Sequence, residues 1–318
     1  MENLAVTVVR KVREAEGIFS FELARPDGAP LPAFSAGAHV DVHLPGGLKR
    51  QYSLCNDAAD KHRYRIAVLR ELVSRGGSVA MHDAVHEGDV VHISAPKNHF
   101  PLHVAARTLL FAGGIGVTPL LSMAQRLASI GADFALHYCT RSAERTAFIQ
   151  EIQASAFANQ VHFHFDAGPP EQKLDLTKAL AETDADRQLY VCGPGGFIEH
   201  VVNTAKASGW SPEQIHLEYF GAAPQDSSGD SSFEVRIAST GKTFHVGAGQ
   251  NIVQVLKDNG IEILTSCEQG VCGTCITRIL EGEPAHRDMY FTDNEKAAND
   301  QFTPCCSRSK SKVLVLDL

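Results

Sequence analysis

The sequence lacks a long apolar run, an excess of basic residues and a recognisable secretory leader, and each absence excludes a class of protein. No apolar stretch in the 318 residues approaches the ~20 residues that a membrane-spanning helix needs. The formal net charge is −8 at pH 7, whereas a nucleic-acid-binding domain would present a basic face. Residues 1–4 show neither the basic nor the apolar region of a signal peptide. Without internal repeats or long low-complexity runs, the chain is expected to form two or three ordinary domains.

The eight cysteines are the most informative residues that the sequence does contain. Three of them lie in residues 265–275 with the spacing C-x4-C-x2-C, and another follows near the C-terminus, which is the plant-type [2Fe-2S] pattern. Gly270 and Gly273 lie in the same run, where they permit a loop to curl closely around a cluster. The predicted ligands are Cys267, Cys272, Cys275 and Cys305. Because thiolates persist in a reducing compartment, we expect a cytoplasmic protein.

The alternatives to the cluster are a structural zinc site and disulfides. Zinc sites usually pair their cysteines as C-x2–4-C twice, which the x4 gap and the isolated fourth cysteine fit poorly. The fourth ligand has its own alternative, because Cys305 and Cys306 are adjacent. The position of Cys305 directly after Pro304 favours it, together with the family resemblance described below.

Short β-rich runs separated by turn residues fill the first third of the chain and predict an antiparallel barrel or sandwich. One run contains Arg50-Gln51-Tyr52-Ser53, in which alternation places Arg50 and Tyr52 on one face. Residues 75–78, Arg-Gly-Gly-Ser, precede a helical segment and predict a phosphate site, where backbone donors, the helix dipole and a guanidinium converge. The simpler alternatives are an exposed Arg with a half-buried Tyr, and a Gly-Gly turn with a Ser N-cap.

The middle third alternates strands and helices, including helices predicted over 145–155 and 174–183, and this pattern implies a parallel sheet with ligands at its carboxyl edge. Two glycine-rich runs, 113–119 and 193–197, each follow a strand and open a helix. The standard G-x-G-x-x-G fingerprint is absent, and one such loop alone would also fit close helix–strand packing. Two loops at the same edge favour a nucleotide site. Cys192 would lie beside a nicotinamide there or be a buried, inert thiol.

A polar, Gly/Pro/Ser-rich stretch at 222–232 reads as a linker. The predicted domains are 1–103, a β-barrel; 104–222, an α/β nucleotide-binding domain; 223–232, the linker; and 233–318, a small iron–sulfur domain. The resemblance given below implies that they are an FMN-binding, an NAD-binding and a ferredoxin domain. The last domain would be marginally stable without its metal.

Together these motifs resemble the phthalate dioxygenase reductase family over essentially the full length. The resemblance implies a multidomain α/β plus β fold: an antiparallel β-barrel flavin domain, a parallel-sheet α/β nucleotide domain and a C-terminal β-grasp ferredoxin domain. It implies FMN, NADH and a [2Fe-2S] cluster as cofactors, and a Rieske-type oxygenase as the partner. FMN rather than FAD also fits the single phosphate site at Gly76-Gly77, whereas NADH rests on the family alone, since Arg141, Ser142 and Arg145 would suit a 2′-phosphate.

The resemblance also implies roles for single residues. The flavin-binding set would be Arg50, Gln51, Tyr52, Ser53, Arg75, Gly76, Gly77 and Ser78. The nucleotide-binding set would be Gly113, Gly114, Gly116, Thr118, Cys192, Gly193, Pro194 and Gly195. Ser53 would lie near the reactive flavin N5, Thr118 between nicotinamide and flavin, and Phe220 stacked on the flavin, although Phe220 would equally suit interdomain packing.

Two other functions are alternatives to an oxygenase-coupled NADH reductase. One is a stand-alone flavin or quinone reductase with an ancillary cluster, which a ferredoxin domain argues against because a cluster chiefly hands on single electrons. The other is a non-catalytic iron–sulfur redox sensor, which the intact glycine loops and the Arg-x-Tyr-Ser strand argue against.

Overall fold

The structure, a computed structural model, describes residues 3–44, 47–71, 76–221 and 227–318. Residues up to 220 cluster as one unit and residues from 221 as a second. The elements of the first unit are β1 (Asn3–Ala15), β2 (Ile18–Ala24), β3 (His39–Leu44), β4 (Leu48–Ser53), β5 (Tyr64–Leu69), α1 (Gly77–Ala84), β6 (Val90–Ser94), β7 (Arg107–Gly113), α2 (Val117–Ser129), β8 (Asp133–Thr140), α3 (Ile149–Ala154), β9 (Val161–Phe165), α4 (Leu176–Ala179), β10 (Arg187–Cys192), α5 (Gly195–Ala207) and β11 (Ile215–Glu218). Those of the second unit are β12 (Phe233–Ile237), β13 (Thr243–Val246), α6 (Ile252–Asp258), β14 (Thr277–Glu281), β15 (Pro284–Ala285), α7 (Asp293–Ala298), β16 (Gln301–Phe302), β17 (Arg308–Ser309) and β18 (Val313–Leu316).

The first six strands form an antiparallel barrel. Their order is β4-β3-β6-β1-β2-β5, and every pairing is antiparallel. Leu54, just after β4, forms an antiparallel bridge with Ile66 of β5, so the two edge strands meet and the sheet closes. Alternating apolar residues such as Val6, Phe21 and Val40 fill the interior. The predicted antiparallel barrel is confirmed.

The next five strands form a parallel sheet in the order β11-β10-β7-β8-β9. Its central strand, β7, is buried on both faces: Leu110 and Ala112 pack in the core that contains α2, while Leu109 and Phe111 pack in the core that contains α5. This explains why β7 reads as a continuous apolar run. All five carboxyl ends lie at one edge, where the predicted glycine-rich loops follow β7 and β10.

Two predicted helices are shorter in the structure. The segment predicted as a helix over 145–155 is a 3₁₀ turn at Ala143–Arg145 followed by α3. Between them the buried Phe148 has φ 61°, a left-handed conformation that a helix cannot continue through. The helix predicted over 174–183 is only α4, which begins after Asp175, whose side chain accepts a hydrogen bond from the Lys178 N–H at 3.0 Å.

The barrel and the parallel sheet are fastened together by paired charges. Arg65 of the barrel donates to both carboxylate oxygens of Glu151 at 2.6 and 2.7 Å. Arg145 donates to both oxygens of Glu16 at 3.1 Å, and the Glu16 N–H donates to the Glu144 carbonyl at 2.8 Å. Bidentate pairs of this kind fix orientation as well as distance.

The second unit is a mixed sheet with α6 packed against it. The strand order is β13-β12-β18-β14-β16, in which β12 and β18 run parallel and the other pairs antiparallel. Val235, Leu256 and Leu314 lie at the centre of its core. The cysteine-rich loop, residues 265–275, connects α6 to β14. None of the helices in the described ranges is both long and apolar enough to cross a membrane.

Candidate functional site

The predicted flavin-phosphate residues meet at the start of α1. Gly76 precedes the helix in the left-handed conformation, with φ 86°. The Arg50 side chain lies directly against Gly77, where an added Cβ would be 2.5 Å from Arg50 Cγ. The helix N-terminus and a guanidinium stem therefore converge, as a terminal phosphate requires. Arg75, which the sequence predicts to bind the phosphate together with Gly76, Gly77 and Ser78, lies outside the described residues.

The other β4 residues lie on the two faces that alternation predicts. Tyr52 packs against the barrel core, and burial raises its pKa above the usual value, so the phenol stays protonated. Gln51 points the other way, with Nε2 3.1 Å from Nε2 of the buried His39. Ser53, buried at the end of the strand, hydrogen-bonds to the Glu218 carboxyl at the end of β11.

The two glycine-rich loops are in direct backbone contact at the carboxyl edge of the parallel sheet. A Cβ on Gly116 would lie 2.3 Å from the carbonyl oxygen of Cys192 and 2.6 Å from the Gly193 nitrogen. A Cβ on Gly193 would lie 2.9 Å from Gly113 Cα. Gly195 and Gly114 have open space instead. Glycines at the points of contact thus let the two loops form one surface that a pyrophosphate can approach closely, at the N-termini of α2 and α5.

Thr118 and Cys192 lie where these loops meet the barrel-facing end of the sheet. Thr118 is buried in the first turn of α2, and its hydroxyl donates to the Ile115 carbonyl at 3.0 Å. Cys192 is fully buried, and burial together with the neighbouring Glu218 carboxyl raises the pKa of its thiol well above the usual range. The thiol is therefore held in its protonated form, and its place beside a nicotinamide stays a prediction.

Glu218 is the functional residue that the sequence interpretation missed. It pairs with Cys192 across β10 and β11, and burial raises the pKa of its carboxyl to about 8 despite the hydrogen bond from Ser53. Its Oε2 atom is buried and has no hydrogen-bond partner within the described part of the chain. An orphaned carboxyl at the carboxyl edge suits a ligand that carries N–H donors, such as a nicotinamide carboxamide. Its position at the end of a strand of this sheet is the signal that could have found it.

Glu218 predicts a pH-dependent stability that can be measured. Its carboxyl pKa is raised above the unfolded value, so stability is lost as pH rises between the unfolded pKa and about 8. We expect Glu218→Gln in the FMN-loaded protein to change the free energy of unfolding little at pH 5 and to raise it by about 3–5 kcal/mol at pH 9. Urea unfolding monitored by flavin fluorescence measures this in the first unit. The exposed Glu199→Gln is the control, and an equal gain for both variants at pH 9 would contradict the assignment.

The four predicted ligand cysteines converge in the second unit, and all four are buried. The Cys267 thiol is within hydrogen-bonding reach of both Cys272 and Cys305, and Cys305 also reaches Cys275. The Gln269 N–H donates to Cys267 Sγ at 3.4 Å, an example of the backbone donors that tune such clusters. Three thiols from one loop and a fourth from a distant segment are the donor set that a plant-type [2Fe-2S] cluster uses.

Both glycines of the cysteine-rich loop have positive φ and tight surroundings. Gly270 has φ 72°, and its Cβ would lie 2.4 Å from Cys306 Sγ. Gly273 has φ 68°, and its Cβ would lie 2.4 Å from Cζ of Tyr290. Tyr290 belongs to residues 286–291, here called the strap, whose Met289 N–H donates to the Gly270 carbonyl at 3.0 Å. The strap therefore covers the loop that presents three of the cysteines.

Cys306 and Phe220 are the remaining residues that the sequence analysis discussed for these sites. Cys306 contacts Cys305, but its sulfur lies 3.3 Å from the Thr303 hydroxyl and beside Gly270. Because Cys305 is the one that reaches Cys267 and Cys275, the placement supports Cys305 as the fourth ligand. Phe220 ends the first unit with 42% of its surface exposed, so its stacking on a flavin stays a prediction.

Two family models match this chain. An oxidoreductase NAD-binding domain matches residues 110–203, which include both glycine-rich loops. A 2Fe-2S iron–sulfur cluster binding domain matches residues 235–310, which include all four predicted ligands. The models thus cover the two sites that geometry assembled independently.

Relatives of known name extend the match to the whole chain. The vanillate O-demethylase oxidoreductase of Pseudomonas putida is 56% identical over 313 residues, which are 98% of each chain. The tetrachlorobenzoquinone reductase of Sphingobium chlorophenolicum is 41% identical over 322 residues, with 100% of this chain and 99% of the relative covered. The solved structure of phthalate dioxygenase reductase, described as modular for electron transfer from pyridine nucleotides to [2Fe-2S], superposes with a TM-score of 0.79 at 40% identity over 99% of this chain and 98% of that one.

Fold and sites together define an iron–sulfur flavoprotein oxidoreductase with flavin, NAD and [2Fe-2S] sites in one chain. The barrel, the parallel sheet and the ferredoxin fold are those that the sequence predicted. The chain belongs to the phthalate dioxygenase reductase family. It is the NADH-dependent reductase component of an oxygenase system, with FMN and a [2Fe-2S] cluster as its resident cofactors.

Proposed function

We propose that the chain supplies electrons to a Rieske-type oxygenase that demethylates a methoxylated aromatic acid such as vanillate. The main observation behind this proposal is the cysteine cradle, formed by Cys267, Cys272, Cys275 and Cys305, in the same chain as the flavin and nucleotide sites. A cluster in this cradle would provide an outlet for single electrons. The choice of partner is supported by 56% identity to a vanillate O-demethylase oxidoreductase over 98% of both chains. None of the eight cysteines forms a disulfide, which supports our further proposal of a cytoplasmic location.

The residues that would hold the cofactors follow from the site. Arg50 and the start of α1 would bind the FMN phosphate, Tyr52 and Ser53 would contact the ribityl chain and ring, and Phe220 would stack on the ring. Thr118 and the loops after β7 and β10 would place NADH. When bound, FMN would supply the conversion of a hydride from NADH into single electrons for the cluster, so the cofactors would carry the chemistry. The protein side chains orient and shield the reactants, and none is required to act as an acid or base in hydride transfer.

The domain boundaries also belong to this proposal. Residues 1–103 would bind FMN, residues 104–222 would bind NADH, and residues 233–318 would bind the cluster after a linker at 223–232. Supporting this division, the barrel strands end at Ser94, the parallel sheet begins at Arg107 and the ferredoxin sheet begins at Phe233.

One alternative function has a specific observation in its favour. A relative 41% identical over the whole chain is named as a tetrachlorobenzoquinone reductase, so this fold with its cluster also occurs under a quinone-reductase name. For this chain, a stand-alone quinone reductase would transfer electrons from NADH to a quinone without any protein partner.

Reconstitution with a purified oxygenase separates the two functions. We expect the FMN- and cluster-loaded protein to support NADH-dependent demethylation of vanillate by a vanillate O-demethylase oxygenase, with formaldehyde released in proportion to NADH oxidised. The matched control is the same mixture without the oxygenase, tested with vanillate and with a chlorinated quinone. Rapid quinone reduction, together with no formaldehyde in the complete mixture, would overturn the proposal in favour of the alternative.

A further inference from the structure

A buried cluster of charges joins three segments of the second unit. The Asp230 carboxylate has only 4% of its side chain exposed. It accepts hydrogen bonds from the Arg287 guanidinium, including one of 3.2 Å from Nη1, and lies 3.3 Å from Nε of Arg308. One carboxylate therefore lies between two guanidinium groups, in a region where a buried charge needs a partner.

Arg308 connects Asp230 to the segment that carries the fourth cysteine. It is 7% exposed at the side chain and starts β17, three positions after Cys305. Its guanidinium also donates to the backbone carbonyls of Gln250, Ser231 and Gly247 at 2.7–3.0 Å. Asp230 is the carboxylate against which this guanidinium is held.

Arg287 connects Asp230 to the strap. Its backbone N–H donates to the Ser307 hydroxyl at 3.2 Å, so the strap is tied to the fourth-cysteine segment as well. Two positions further on, Met289 donates to the Gly270 carbonyl, and Tyr290 lies over Gly273. The chain from Asp230 through Arg287 thus reaches the loop that presents the other three cysteines.

Asp230 lies outside the part of the chain that the ferredoxin domain model matches, which begins at residue 235. It also precedes β12, the first strand of the ferredoxin sheet. A residue of the interdomain stretch is therefore built into the surroundings of the cysteine cradle.

We propose that Asp230 is a positioning residue for the [2Fe-2S] cluster, which holds both halves of the cysteine cradle through Arg287 and Arg308. Through Arg308 it steadies the segment that carries Cys305, and through Arg287 it steadies the strap over the loop that carries Cys267, Cys272 and Cys275. This inference rests on the ligand assignment made above. The stretch before the ferredoxin sheet is then part of the cluster site as well as a connection between domains.

The test is carried out on the full-length, FMN- and cluster-loaded protein with Asp230→Asn. The amide keeps the shape and removes the charge, so two guanidinium groups lose the carboxylate between them. We expect iron release to a ferrous chelator to be faster by at least about tenfold. We also expect the cluster midpoint potential to become more positive, because the added positive charge favours the reduced state.

Three companion variants make the result specific. Glu283→Gln removes an exposed carboxylate paired with Lys310 at 2.7 Å in the same unit and should change neither quantity. The double variant Asp230→Asn with Arg287→Gln restores the net charge, so its potential should return to the wild-type value while iron release stays fast. If Asp230→Asn fails to load a cluster, Asp230→Glu, which keeps the charge, should load one at the wild-type potential.

One result would overturn the inference, and a separate measurement tests the premise on which it rests. The inference is overturned if Asp230→Asn releases iron within twofold of both wild type and Glu283→Gln and keeps the wild-type potential. The presence of the cluster has its own readout, which is the electron paramagnetic resonance signal of a reduced [2Fe-2S] cluster in the wild-type protein. Absence of the cluster is thereby distinguished from failure of the role of Asp230.

Discussion

Replacing Cys272 with serine should reduce cytochrome c reduction by NADH to background while the reduction of a two-electron acceptor continues. Cys272 is 5% exposed and its thiol lies against that of Cys267, so its loss removes one of the four thiolates that we propose as cluster ligands. The flavin and nucleotide residues belong to the other compact unit. Cytochrome c takes electrons one at a time, and we expect it to depend on the cluster.

The measurement compares steady-state rates with cytochrome c and with dichlorophenolindophenol, alongside iron content and the visible spectrum. Cys306→Ser is the matched control, since Cys306 neighbours the fourth ligand without reaching Cys267 or Cys275 in the contacts described above. It should keep its iron and both activities. If cytochrome c reduction survived in a Cys272→Ser protein that holds no iron, the order of electron flow from flavin to cluster would be wrong.

The second large effect is expected from Gly116→Ala. The backbone of Gly116 has φ −61° and ψ −5°, which alanine adopts without strain, so conformation does not require glycine there. The close approach of Cys192 requires it, because a Cβ would lie 2.3 Å from that carbonyl oxygen and 2.4 Å from its carbon. Both are backbone atoms at the end of a central strand. The added methyl group must therefore push the two nucleotide loops apart, at about 1–3 kcal/mol of stability.

We expect this shift to lower kcat/KM for NADH by about 100-fold, because a displacement near 1 Å is enough to spoil hydride-transfer geometry. Stopped-flow reduction of the bound flavin by NADH measures it directly and does not involve the cluster. The control is Gly196→Ala in the first turn of α5, where an added Cβ meets nothing within 4 Å. Equal effects of the two substitutions would show that the contact between the loops does not set the geometry.

Much of the fold and of the candidate site could be predicted from the sequence, because the residues predicted to bind each cofactor are close together in the chain. The C-x4-C-x2-C loop and the glycine-rich turns each lie within about ten residues, and strand–turn–helix alternation fixes which sheet edge they share. The fourth cysteine lies 30 positions after Cys275. Its choice as Cys305 therefore depended on the preceding Pro304 and on the family resemblance as well as on spacing. The barrel followed from period-2 alternation.

What escaped prediction depends on contacts between distant segments. Glu218 is ordinary in sequence, and its pKa is raised only because the fold buries the carboxyl at the end of β11, against the opposing effect of the hydrogen bond from Ser53 of the barrel. The late start of the helix predicted over 145–155, which begins only at Ile149, has the same origin. Phe148 is fully packed in the core in a left-handed conformation, so tertiary packing there overrides the helical pattern.

The paired charges between barrel and parallel sheet have a consequence for how this kind of protein can be recombined. Arg65 with Glu151, and Arg145 with Glu16, tie the two layers at separate points within a single compact unit. A chimaera that takes its barrel from one homologue and its sheet from another must inherit both matched pairs. A join after residue 220 severs neither pair. The flavin barrel together with its nucleotide sheet is therefore the natural unit of exchange. This holds for evolution and for an engineer who wishes to attach a new electron outlet.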